Sequence, residues 1–462
     1  AQIAEWNGLK LSANQLRALG ELKLRNLDKQ PALEGGLSIA QFNLREFLDG
    51  IGQPVPAMSD SSALGSVELV SRLQGSANSL TLQELTLKLD ESTFTGNLSV
   101  SDFAKQAVRA QLKGDRLNLD RYLPAASKEG PSARQNEVKN TLAAAGQAGT
   151  TDLPQAPSQQ AWSEASLLPI ERLRRLDAQL DLSLGQLTLK QLPMTDVSLK
   201  ASGKDGLLSL SELRGELYNG NFNHSASLDV RPDSPQLKVQ KNLSRVDAAK
   251  LLNALGQKPT LTGTLDLNAD LQTQGNSQKA WIDNLNGNAH FNLRDGVLSN
   301  ANLEQQLCQA IATLNRKSLS GETRGKDTAF ESLGGNLTIT NGVAYNPDLK
   351  ARIQGLSVNG DGSLDLRVLG MDYRVGIIIE GDKSEMPDPA CQINPRYVGL
   401  EWPLRCRGPL ELGAKACRVD KEGLGKVGAK LATEKLGEKI EEKLGDKVSP
   451  ELKDALKGLF NR

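Results

Sequence analysis

The sequence predicts a mainly β protein: an elongated, strongly bent antiparallel sheet of the repeating β-groove type, open along one apolar face, with short helices and a C-terminal amphipathic helix. Three observations lead there. Apolar and polar residues alternate in run after run, Asx-Gly pairs separate the runs, and helical patterns are too few to cover the apolar side.

The clearest run sets Ala178, Leu180, Leu182 and Leu184 between Gln179, Asp181 and Ser183. Successive strand residues face opposite sides, so one side of this strand is greasy. Leu265, Leu267, Ala269 and Leu271 repeat the pattern, as do Leu364, Leu366 and Val368, then Tyr373, Val375, Ile377 and Ile379. Turns are expected at Gly185-Gln186, Lys204-Asp205-Gly206, Asn219-Gly220, Asp295-Gly296, Asn341-Gly342 and Asp361-Gly362, since Asx-Gly supplies the positive φ of tight hairpins. The form Asn-Leu-x-x-x-Leu recurs at Asn43, Asn118 and Asn302, where asparagine can cap a short helix and the two leucines share a face. The irregular intervals between copies argue for a degenerate strand-plus-helix unit and against a fixed-period solenoid.

Composition shifts divide the chain. Residues 1–124 read as strand-plus-helix groove units, 125–166 as a disordered loop or linker rich in Ala, Gln, Ser, Gly and Pro, and 167–420 as a second groove region. A shorter loop is expected from Gln53 to Ser62. Residues 421–462 form an amphipathic helical tail, with Val427, Leu431, Leu436, Ile440, Leu444 and Val448 near helical spacing, broken near Pro450.

Lysine plus arginine equals aspartate plus glutamate at 55 each, so no surplus of positive charge draws a polyanion and nucleic acid is excluded as a partner. Aromatics are only 4%, which leaves leucine as the main source of apolar surface and suits acyl chains or an ordinary core. No apolar run approaches the ~20 residues of a membrane-spanning helix. The chain opens at Ala1 without a leader pattern and reads as mature or trimmed, with an upstream anchor expected.

Cys308, Cys391, Cys406 and Cys417 lack C-x-x-C spacing, which disfavours zinc and fits disulfides in an oxidising compartment. Spacing cannot settle which of three pairings forms. The expected one joins Cys391 to Cys406, which flank a Pro-rich excursion, and leaves Cys308 with Cys417. His224 and His290 are the only histidines, and His224 cannot act with the adjacent Ser225 because strand neighbours point to opposite faces. Gly423-Leu424-Gly425-Lys426-Val427-Gly428 matches a dinucleotide-binding string but lies in a charged helical pattern rather than after a strand. No cofactor, metal site or catalytic set is expected, so the chain reads as a non-enzyme.

Several segments, in order, resemble the AsmA family. They are Asp115-Arg116-Leu117-Asn118-Leu119-Asp120-Arg121-Tyr122-Leu123-Pro124, the stretch from Leu176 to Leu199, Gly215 to Phe222, Leu293-Arg294-Asp295-Gly296-Val297 leading into Asn302-Leu303, and Pro403 to Gly408 before Cys417. The resemblance implies a Gram-negative envelope protein facing the periplasm, concerned with outer-membrane homeostasis and akin to bridge-like lipid carriers. It further implies tethering to the inner membrane by an upstream helix absent from this chain, with phospholipid or another envelope lipid, and possible envelope proteins, as partners. The alternation and the shortage of helix then make Leu180, Leu182, Leu184, Leu265, Leu267, Leu271, Val375, Ile377 and Ile379 the expected lining of a lipid groove. Two rivals differ in geometry: a structural or assembly factor would close its sheets on each other, and a hydrolase would need a compact polar cleft.

Overall fold

The computed structural model describes residues 3–27, 30–55, 57–124, 132–145, 152–254, 256, 259–320, 325–381 and 388–444. The strands are β1 (Ile3–Ala13), β2 (Leu16–Arg25), β3 (Ala32–Phe42), β4 (Val67–Ser76), β5 (Leu80–Leu89), β6 (Ser92–Asp102), β7 (Ala107–Asn118), β8 (Ala178–Leu189), β9 (Leu192–Lys204) and β10 (Leu207–Leu217). They continue with β11 (Gly220–Asp229), β12 (Gln236–Asp247), β13 (Thr264–Gln274), β14 (Asn286–Leu298), β15 (Thr328–Thr340), β16 (Val343–Ile353), β17 (Leu356–Asp365), β18 (Gly370–Ile379), β19 (Glu401–Pro409) and β20 (Cys417–Val419). Interspersed are α1 (Leu44–Gly50), α2 (Ser132–Ala145), α3 (Ile170–Arg174), α4 (Ala248–Ala254), α5 (Gln278–Asp283), α6 (Leu303–Leu314) and α7 (Lys421–Leu444).

All twenty strands form one open sheet in which each pairs with its sequence neighbours, as the hairpin reading requires. The pairing is antiparallel everywhere except between β7 and β8, which run parallel. At ~4.8 Å per strand the sheet is on the order of 90 Å long. Asp205-Gly206 and Asn341-Gly342 have paired positive φ values (48° and 78°, 47° and 78°), which makes both tight hairpin turns. The turn expected at Asn219-Gly220 falls one residue earlier, at Tyr218-Asn219 (φ 49° and 67°), and Gly220 opens β11 opposite Leu217.

The other three expected turns lie inside strands. Gly185 and Asp196 are left unpaired in register between Leu184↔Val197 and Gln186↔Thr195, and Asp295, at φ 51°, and Glu331 likewise between Arg294↔Ser332 and Gly296↔Phe330, so each interrupts the ladder without ending the strand. Asp361-Gly362 pairs regularly within β17, where Gly362 leaves room for the ring of Tyr373, 2.5 Å from the place a Cβ would take. Leu366 and Val368, expected in a strand, fall in the turn after β17.

The capping motif holds twice. Asn43 accepts from the Glu46 amide at 3.1 Å to start α1, and Asn302 from the Gln305 amide at 2.8 Å to start α6. Asn118 leads into a single 3₁₀ turn without a side-chain cap. Asp247 supplies an unforeseen fourth copy by accepting from the Lys250 amide at 3.1 Å at the head of α4.

Two expectations are corrected. Much of 125–166 is ordered: 132–145 is a helix, and the segment from Pro154 runs back along the strand ends as a strap. Trp162 Nε1 donates to the Leu366 carbonyl at 2.7 Å, Ser166 bridges to Ser277, and Arg174 Nε donates to the Val230 carbonyl at 2.8 Å. Arg134 joins Glu411 at 2.7 Å. Polar composition misled the reading, because these contacts use backbone groups that leave no apolar period. The strap also accounts for the parallel pairing, since the chain must return along the sheet before β8 can lie beside β7 in the same direction.

The second correction concerns the cysteines, all of which are in disulfides but as Cys308–Cys391 and Cys406–Cys417. Cys406 is the register partner of Cys417 across β19 and β20, and α6 brings Cys308 over Cys391. Around that link α6 seals one end of the apolar face, with Leu307 and Ile311 on Leu356, Val358, Ile377 and Trp402. The first turns of α7 dock there through Leu424 and Val427. Residues 445–462, including the expected break at Pro450, lie outside the described residues.

Candidate functional site: an apolar groove

The site is a continuous row of side chains rather than a compact pocket. Register partners lead from Trp6 in β1 through Leu22, Gly35, Leu73, Leu82 and Leu98 to Ala110 in β7. They cross the parallel junction to Leu180 and run on through Ala201, Leu210, Ala226, Val239 and Leu271. Gly287, Ile339, Ala344, Leu364 and Met371 carry the row to Gly408 in β19. Every position is apolar or glycine, so the strands present one unbroken greasy stripe across the sheet.

Two glycines of this face permit close coiling. At Gly96 (φ 143°) and Gly287 (φ 144°) a Cβ would stand 2.1 Å from the carbonyl oxygens of Gln111 and Asp270. No larger residue fits where neighbouring strands approach so tightly. The stripe deepens between β8 and β11 into a concavity of about 350 Å³, walled by Leu176, Leu180, Leu208, Leu210 and Leu228 with Ala201 at its floor. At the β1 end Ile3, Trp6 and Leu11 are exposed.

The expected lining residues divide. Leu180 lines the open concavity, and Leu271, partly buried, belongs to the open row. Leu184 is buried, with Leu182, Leu265 and Leu267 packed against the same cluster around Phe94, Val197, Phe222 and Val246. These four belong to a packed apolar cluster rather than to the open concavity. Val375 is partly buried beside the sealed end, and Ile377 and Ile379 are fully buried there. The open-groove reading of Ile377 and Ile379 is therefore corrected: α6 and Trp402 cover them. Sequence alternation marks the face of a strand but not what a later helix lays on it.

The two histidines stand apart from the hydroxyl that the sequence sets beside one of them. Ser225 Oγ is 3.2 Å from Gln240 Oε1 on the polar face, whereas the His224 ring packs against Phe222 at 5.5 Å between centroids on the apolar one. His290 Nδ1 lies 3.0 Å from Asn336 Oδ1 on the polar face. Burial, and then the nearby Lys241 charge, hold the His224 pKa below its ordinary value. Burial pushes Tyr373, on the apolar face, up to about 12. The dinucleotide-like string Gly423–Gly428 is inside α7, not in a loop between strand and helix. Among the described residues no helix is long and apolar enough to cross a membrane.

A single open sheet with an apolar stripe along its length and a helix sealing one end is an open β-groove protein. Its sequence relations agree. The family model for the AsmA family matches residues 1–349, and the chain belongs to that family. It is 24% identical over 320 residues to Protein AsmA of Escherichia coli K12, a match that takes in 69% of this chain and 50% of that protein. The chain thus spans about half the length of that relative.

Proposed function

We propose that this chain is a non-enzymatic lipid-handling module of the Gram-negative envelope, facing the periplasm, which shields acyl chains of phospholipid or another envelope lipid on its apolar groove. The observation that carries the reading is the uninterrupted apolar row from Trp6 to Gly408. Burying an acyl chain yields about 0.8 kcal/mol per methylene, so a stripe that many strands long can hold and pass a chain with no catalytic group. Headgroups would remain hydrated at the rim. Membership of the AsmA family supports a role in the envelope and its biogenesis.

The alternative, an assembly factor acting through protein partners, draws on the sealed end, where α6 turns part of the face into an ordinary core. Photocrosslinking from the membrane-derived protein separates the two. Crosslinkers at Leu82, Leu180 and Leu210 are expected to capture lipid, and those at Thr81, Gln179 and Ser209, on the opposite face, are not. Equal labelling of both faces, or labelling by protein alone, would return the assembly reading to first place.

A further inference from the structure

The apolar face carries one charge at its regularly paired positions. His224 is paired with Lys241, between the Phe222–Leu243 and Ala226–Val239 pairs, so both side chains stand on the groove face. The next neighbour of Lys241 on that face is Ala269, followed by Ala289 and Leu337. Between β1 and β19, no other Asp, Glu, Lys or Arg among the described residues holds a paired position on this face. The carboxylates of the adjacent strand β13, Asp266 and Asp270, alternate with Ala269 and so point to the polar side. Lys241 is exposed and makes no salt bridge among the described residues. His224 Nδ1 is buried without a hydrogen-bond partner.

The buried, unsatisfied imidazole nitrogen is unfavourable where it lies, and the ammonium beside it, though hydrated, stands alone as a charge on an aliphatic floor. A lysine needed only for solubility would sit on the polar face, where its neighbours already alternate charge. No described residue supplies a counter-ion to Lys241, and an anion arriving from the groove would be one. Apolar rows flank the pair on both sides, so a bare anion would leave them uncovered, whereas an acyl chain attached to it would not.

We propose that Lys241 and His224 form an anion anchor that holds the acidic oxygens of an amphiphile's head while its acyl chain lies along Ala226, Val239 and Leu271. The anchor rests on the reading of the groove as an acyl-chain site and adds selection by charge. The lysine supplies the charge and, through its four-carbon stem, reaches from the floor toward the level of the head. The neutral imidazole adds a hydrogen bond that turns on which nitrogen carries the proton.

Equilibrium binding to the full chain with hexadecanoate, its methyl ester and a dihexadecanoyl phosphatidate tests this. The wild-type protein is expected to prefer hexadecanoate over the ester by about tenfold, the scale of one charge-assisted contact. Lys241→Met should erase that preference with ester binding unchanged, and Lys241→Arg should keep it. Whichever acid loses more affinity in Lys241→Met, carboxylate or phosphatidate, identifies the source of the head. Ester binding without preference for the acid, or equal loss of ester and acid in Lys241→Met, overturns the anchor and leaves the groove. Binding of neither ester nor acid overturns both. Competition by inorganic phosphate as strong as that by phosphatidate would mean a free-anion site and overturn the amphiphile.

Discussion

Placing aspartate at Leu180 and at Ile377 distinguishes open groove from closed core within one sheet. Ile377 is 0% exposed, paired with Val358 and Trp402 and covered by Leu307 and Ile311 of α6. Ile377→Asp forfeits ~1.5–3 kcal/mol of apolar burial and sets a carboxyl among groups that cannot solvate it, for a total near ~5 kcal/mol. That is comparable to the whole stability of many domains, about 5–15 kcal/mol, so this end should unfold. Leu180 is half-buried between the small Ala110 and Ala201, with open space above. Its aspartate can stay hydrated, and the cost should be ~1 kcal/mol. Urea unfolding followed by circular dichroism, with hydrogen exchange in α6 and β18 reporting the sealed end, measures both. The expected result is an unfolded or strongly destabilised Ile377→Asp and a folded Leu180→Asp that has lost acyl-chain binding. Equal destabilisation by the two would show that Leu180 lies in a closed core and would refute the open groove.

The disulfides should differ in worth because they close loops of different length. Cys308–Cys391 spans 83 residues and Cys406–Cys417 spans 11, so paired alanine substitutions should cost ~4 and ~2–3 kcal/mol respectively in denaturant titration. Trp162→Ala, which removes the hydrogen bond to Leu366 and the packing of the strap, should lower stability by ~2 kcal/mol, and deleting 152–166 should lower the melting temperature markedly; no change would restore the loop reading. Asp60 is held down to about 2, chiefly by hydrogen bonds from Ser62 and then from Arg121 at 2.6 Å. Because that folded pKa lies below the ordinary ~3.9, its stabilising effect is present above about pH 4 and lost as pH falls toward 2. Amide protection in 57–64, taken relative to the intrinsic exchange rate at each pH, should fall over that window, and protection that grows as the pH falls would contradict the assignment.

What the sequence determined by itself was the local chemistry of the sheet. Alternation at Ala178–Leu184 and Leu265–Leu271, turns at Asp205-Gly206 and Asn341-Gly342, and caps at Asn43 and Asn302 are written in residues a few positions apart, and all of them hold. They suffice for a long antiparallel sheet with one apolar face. The tertiary structure decided what covers that face. Ile377 and Leu180 have the same alternating signature, yet only Ile377 lies under α6, a segment some sixty residues away in sequence. The strap from Pro154 to Arg174 is held by backbone carbonyls of distant turns, which impose no side-chain period, so composition alone reads it as a loop. Cys308–Cys391 and the place of Lys241 in the apolar stripe depend likewise on strand register and helix docking, which are set by the sum of contacts between remote segments and not by any stretch on its own.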